Sequence, residues 1–121
     1  MFLKKKSTST STTKYYCNMS KKASFKEIIH SETPVLIDFY ADWCGPCKAY
    51  SSTIEKLKKE LGDEVNVIKI NVDNNPALAE KLQVRSIPTT MIFRNGLLKW
   101  REAGVQPIST LKKMVEAAKE S

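Results

Sequence analysis

The chain contains a single histidine and only three cysteines in 121 residues. It has nothing near the ~20 continuous apolar residues that a membrane-spanning helix requires. Its first 22 residues contain no acid at all. Each shortage removes a class of reading. Three cysteines, two close together and one apart, do not form the framework of a disulfide-stapled domain. One histidine and one close cysteine pair fall short of the two pairs that structural zinc sites usually present. Without a long apolar run, no membrane association is expected. At this length the chain can bury one core, and it is too short for two.

The net charge of +7 invites a nucleic-acid reading, but its distribution argues against one. Six lysines lie in residues 1–22, which leaves 14 of the 20 basic residues against all 13 acids in the remainder. The rest of the chain is close to neutral, whereas a reader of phosphates needs its basic patch on a folded face. No nucleic-acid partner is therefore expected.

Two zones follow from this distribution. Residues 1–22, rich in Lys, Ser and Thr, carry too few apolar side chains to offset the entropy of ordering. Met1-Phe2-Leu3 is too short to be the apolar centre of a secretory signal, which needs about 7–15 residues. The segment lacks acids, as transit peptides do, but it has no arginine and no clear amphipathic helix. It is read as a disordered tail or leader, or as an extension upstream of a true start at Met19. Cys17 has no apolar run before it and so is not a lipid-attachment site. Tyr15–Met19 is a candidate edge strand.

Residues 23–121 form the expected domain. Phe25, Ile28 and Ile29 mark a short helix. Val35–Tyr40 is a nearly unbroken apolar run, the pattern of a strand covered on both faces. Tyr50, Ile54, Leu57 and Leu61 then recur at helical spacing along a helix that starts near Gly45. Val65–Val72 reads as a second central strand. Asn75-Pro76 opens a short helix, with Asn75 as its cap. Thr89–Phe93 and Leu97–Ala103 are strands joined by Asn95-Gly96, a favoured two-residue hairpin turn. Pro107, Ile108, Leu111, Val115 and Ala118 give a final amphipathic helix. The order predicts an α/β fold, a central mixed sheet with helices on both faces. Chemistry is expected where parallel strands end.

Cys44 and Cys47 begin four residues after Tyr40. At i and i+3 they can close a small ring or share a metal, and the metal reading would need ligands from Cys17 or His30. A purely structural bond would close a loop too short to constrain much of the unfolded chain. A redox pair explains more. Cys44 at a helix N-terminus lies beside unpaired N–H groups and partial positive charge, which favour the reactive thiolate. Cys47, one turn inside, would be shielded and act second. Pro46 suits the first turn, where its missing N–H costs nothing. Asp38, inside the apolar strand, should lose hydration and hold a proton to higher pH, as a proton acceptor requires.

Trp43-Cys44-Gly45-Pro46-Cys47-Lys48, with Asp73-Asn74-Asn75-Pro76, Arg85-Ser86-Ile87-Pro88-Thr89, Asn95-Gly96 and Ala103-Gly104, resembles the thioredoxin family over about Phe25–Ala118. The resemblance implies the thioredoxin fold and a protein-disulfide reductase, an electron carrier with a redox-active Cys44–Cys47 disulfide. It implies Cys44 as attacking nucleophile and Cys47 as resolving thiol. Asp38 would be the buried carboxylate that serves Cys47, and Lys69 the partner of Asp38. Pro88 would be a cis-proline exposing the backbone of Ile87 to an extended substrate. Trp43, Gly45, Pro46, Ile87, Pro88 and Gly104 would form the docking surface. No bound cofactor or metal is implied. The implied partners are disulfide-containing proteins and a thioredoxin reductase, met by a monomer in the cytoplasm, or in an organelle matrix if residues 1–22 act as a transit peptide. Two alternatives share the fold: a disulfide oxidant or isomerase, against which Gly45-Pro46 speaks, and a non-catalytic binding subunit. The chain departs from the family at Ser52, where a helix-kinking proline is usual, and at Tyr40, where tryptophan is common.

Overall fold

The structure, a computed structural model, describes residues 24–120. The candidate strand Tyr15–Met19 and Cys17 lie outside them.

Helix α1 (Phe25–Ile29) starts at Ser24, whose hydroxyl accepts from the Glu27 amide while the Glu27 carboxylate accepts from the Ser24 amide. This reciprocal cap satisfies two donors that a helix start leaves open. Strand β1 (Val35–Tyr40) is buried at every position except Tyr40, which is half-buried. Helix α2 (Gly45–Leu61) buries Cys47, Tyr50, Ile54 and Leu57 along one face. It runs unbroken through the exposed Ser52, since serine keeps the backbone donor that proline would remove. A single 3₁₀ turn (Gly62–Glu64) leads to β2 (Asn66–Asn71), followed by α3 (Pro76–Lys81). The hairpin β3 (Thr89–Arg94) and β4 (Leu97–Ala103) precedes α4 (Ile108–Lys119).

The described sheet has the order β2-β1-β3-β4. β1 pairs parallel with β2 and antiparallel with β3, and β3 pairs antiparallel with β4. The sheet is mixed, as expected. Leu36, Val67 and Ile92 pack with α2 and α4 on one face. Val35, Ile37, Phe39, Ile70, Met91 and Phe93 pack with α1 and α3 on the other. Trp100 packs, partly buried, against the α2/α4 side.

Among the described residues β2 pairs with β1 alone, and the candidate edge strand Tyr15–Met19 lies outside them. One expectation needs correction. Asn75 occupies the cap position of α3 but does not cap it. Its amide instead donates to the Asn71 carbonyl at 2.9 Å, closing the turn that leads into the helix.

Asn95 and Gly96 have φ of 54° and 85°. Positive values at both positions match the twist of the flanking strands and explain the preference for this dipeptide. The Asn95 amide donates to the Ser31 carbonyl at 2.8 Å, and the Gly96 amide to the Ile29 carbonyl at 3.0 Å. This pole of the sheet is thereby tied to the chain that leaves α1. The strand ends carrying the chemistry lie at the other pole.

Candidate active site

Four chain segments meet at that pole. β1 ends at Tyr40, whose carbonyl accepts from the Val72 amide at 2.8 Å just beyond β2. The chain then turns through Ala41, whose carbonyl accepts from the Cys44 amide at 3.2 Å, and enters α2. The third segment holds Ile87, and the Ile87–Pro88 peptide bond is cis. From the fourth, the Gly104 amide donates to the Pro88 carbonyl at 2.8 Å, which fixes the loop after β4 against it.

Cys44 and Cys47 are joined as a disulfide. They form a small buried cluster with Ala41, against which Tyr40, Val72 and Ile87 pack. Cys44 is the N-cap residue of α2, and its sulfur accepts the Cys47 amide at 3.1 Å. The sulfur thus occupies the position a capping oxygen would fill, where helix donors and dipole favour negative charge. Burial does not separate the two cysteines, which are 4% and 3% exposed. Cys47 is shielded, as expected, and in the disulfide form Cys44 is shielded as well. What distinguishes them is the cap position.

Trp43 stands out from this cluster at 70% exposure, so it is a surface aromatic and not a core one. Its indole donates to Asp73 at 2.9 Å. Gly45 and Pro46 are exposed, Ile87 and Gly104 half-buried, and Pro88 buried beside them. None of these side chains is charged, although the Trp43 ring is bonded to a carboxylate.

Asp38 is 0% exposed, and neither carboxylate oxygen has a hydrogen-bond partner among the described residues. By strand alternation it faces α2, as Leu36 does two residues earlier. Burial pushes its pKa from 3.8 up to about 6, offset in part by the charge of Lys69. Lys69 is its register partner on β2. The two do not form an ion pair: the Lys69 ammonium donates to the Ser51 hydroxyl and lies 5.4 Å from the centre of the Tyr40 ring. On the other flank, Thr90 of β3 is register partner to Asp38 and shares a 2.7 Å hydroxyl bond with Tyr50 of α2. Burial pushes the Tyr50 phenol up to about 12, with Thr90 opposing and the Asp38 charge adding.

Sequence reading missed Ser51, Tyr50, Thr90 and Asp73 as parts of this site. Tyr50 was legible only as a core position, and Asp73 only as part of a turn. Their contacts span 18 to 40 residues along the chain, beyond any local pattern.

The profile of the Thioredoxin family matches residues 17–117. The chain belongs to the thioredoxin family. It is 43% identical over 94 residues to thioredoxin from Rickettsia felis, an alignment covering 78% of this chain and 90% of that protein. It is 47% identical over 89 residues to thioredoxin from Rickettsia typhi, covering 73% and 85%. Among solved structures, mitochondrial thioredoxin 3 from Saccharomyces cerevisiae in its oxidised form superposes with a TM-score of 0.69 at 32% identity, over 77% of this chain and 86% of that one. The fold is the thioredoxin fold, and the activity that goes with family and cysteine pair is thiol-disulfide exchange as a protein-disulfide reductase. Among the described residues, no helix is long and apolar enough to cross a membrane.

Proposed function

We propose that Cys44 is the attacking sulfur, Cys47 the resolving one, and Asp38 the base that serves Cys47. One observation carries this assignment: the Cys44 sulfur is the N-cap acceptor of α2, bonded to the Cys47 amide at 3.1 Å. A thiolate there keeps that hydrogen bond and gains the helix field, whereas Cys47, inside the first turn, has no such position.

In the reduced chain, the Cys44 thiolate attacks one sulfur of a substrate disulfide. A Cys44–substrate bond forms, the substrate S–S bond breaks, and the other substrate sulfur leaves as thiolate and takes a proton from water. The Cys47 thiol then passes its proton to Asp38, directly or through a water, and attacks the Cys44 sulfur. The Cys44–Cys47 bond forms and the second substrate sulfur departs as thiolate. Two electrons have moved to the substrate. A carboxyl that titrates near 6 accepts and returns that proton more readily near neutrality than one at 3.8.

Trp43, Gly45, Pro46, Ile87, Pro88 and Gly104 are proposed as the docking strip, with the Ile87 backbone offering strand-like pairing to an extended substrate segment. Partners would be proteins carrying accessible disulfides and a thioredoxin reductase that returns the two electrons. We place the start of the catalytic domain near residue 23, with residues 1–22 as a tail or leader. The compartment would be one that keeps thiols reduced, the cytoplasm or, with a cleaved leader, an organelle matrix.

The test is dithiothreitol-driven insulin reduction by the native chain and by Cys44→Ser and Cys47→Ser. Cys44→Ser is expected to be inactive, and Cys47→Ser to accumulate a mixed disulfide through Cys44. Equal rates in all three would overturn the assignment.

A further inference from the structure

Asp38 and Lys69 are register partners on adjacent parallel strands. Both face α2: Lys69 lies two residues after Val67, which packs on that helix, and Asp38 two after Leu36. Side chains so related on one face lie about 5 Å apart at their bases, and a lysine stem can span that gap. An oppositely charged, buried neighbour would ordinarily capture the ammonium. Here the ammonium is engaged by the Ser51 hydroxyl and the Tyr40 ring, and both oxygens of Asp38 are left without a hydrogen bond among the described residues.

We propose that Ser51 is a positioning residue whose hydroxyl holds the Lys69 ammonium away from Asp38, so that the carboxyl keeps its affinity for the proton released by Cys47. Ser51 lies one helical turn after Cys47 on α2, so the same helix carries both the resolving sulfur and the anchor. Among the described residues, the groups facing Asp38 leave Lys69 as the one nearby cation. α2 contributes Tyr50, a neutral phenol near neutral pH because burial raises its pKa. β3 contributes Thr90, whose hydroxyl is engaged by Tyr50. β2 contributes Lys69, whose charge already offsets part of the effect of burial on Asp38. How strongly it does so depends on where the ammonium rests, because an opposite charge within ~4–6 Å lowers a carboxyl pKa by roughly 1–3 units.

The proposal rests on Asp38 as proton acceptor for its catalytic meaning, but its physical content is tested without that reading. The carboxyl of Asp38 is titrated by NMR in the oxidised full chain, in the parent and in Ser51→Ala, Ser51→Thr, Lys69→Met and the Ser51→Ala/Lys69→Met pair. Ser51→Ala removes the anchor without loss of helix propensity. It should lower the Asp38 midpoint by about one pH unit or more, and Ser51→Thr, which keeps the hydroxyl, should restore the parent value. Lys69→Met should raise the midpoint, and by more in the Ser51→Ala background than in the parent, which is the coupling a double-mutant cycle isolates. An unchanged or higher midpoint in Ser51→Ala, or equal effects of Lys69→Met in both backgrounds, would overturn the proposal. Failure of the proton-acceptor reading alone would look different: these midpoints would move as stated, while the rate of mixed-disulfide resolution would not follow them.

Discussion

The Trp43 indole donates to the Asp73 carboxylate at 2.9 Å, joining the loop before the first cysteine to the turn after β2. Trp43 is otherwise exposed, so this bond is what fixes the orientation of its ring. Asp73→Ala should free the ring and weaken docking of folded substrates. An exposed hydrogen bond to a charged group worth about 1 kcal/mol corresponds to roughly a fivefold rise in KM with kcat little changed. Steady-state kinetics on insulin check this, and an unchanged KM would remove Trp43 orientation from substrate binding.

The raised pKa of Asp38 has a consequence for stability. Because the folded chain holds the proton more tightly than the unfolded one, stability is greatest below about pH 4 as far as this group is concerned. It falls as pH rises from about 4 to about 6 and the buried carboxyl ionises. Asp38→Asn removes that cost, so it should be more stable than the parent above pH 7 by up to about 3 kcal/mol, with the gap closing toward pH 4. Denaturant melts of the oxidised protein at pH 4 and pH 8 measure both ends. The same variant should resolve a preformed mixed disulfide roughly 100-fold more slowly at neutral pH, the usual scale of a lost general base.

The cap position of Cys44 predicts unequal thiols after reduction. Iodoacetamide at pH 6.5 should label Cys44 at least about tenfold faster than Cys47, with a rate midpoint below the ~8.5 of free cysteine. Peptide mapping separates both from Cys17. Equal, slow labelling at both positions would mean that the helix terminus does not activate the sulfur.

Tyr50 and Thr90 form a fully buried hydroxyl pair. Tyr50→Phe leaves the Thr90 oxygen without that partner and should cost about 1–3 kcal/mol. Adding Thr90→Val removes the stranded hydroxyl as well and should recover part of the loss. Urea melts of Tyr50→Phe, Thr90→Val and the double variant check the sign of the coupling, which would vanish if the pair contributed nothing.

Legibility in the sequence followed the range of the interactions. Val35–Tyr40 could be read to the residue because a strand covered on both faces is apolar without interruption, so the single Asp38 stood out. α2 could be read from Tyr50, Ile54 and Leu57, and the hairpin from Asn95-Gly96, because each pattern is set by neighbours within a turn or two. Asn75 was misread because an amide that can cap a helix can equally close the turn before it. At the site, residue types announced the sulfur chemistry, and strand register brought Lys69 beside Asp38. The direction its ammonium takes depends on Ser51, eighteen positions away in sequence, and no local pattern records that choice.

The Asn95 and Gly96 amides are tied to the Ser31 and Ile29 carbonyls main chain to main chain, while the Arg94 guanidinium adds a side-chain bond to the Glu32 carbonyl at 2.7 Å. The two amide bonds do not involve the side chain at position 31, whose hydroxyl instead accepts from the Thr33 amide at 3.1 Å. Position 96 is the constrained one: its φ is 85°, and an added methyl would meet the His30 ring at 2.8 Å. Substitution at this end of the molecule should therefore be least tolerated at that glycine, far from any sulfur.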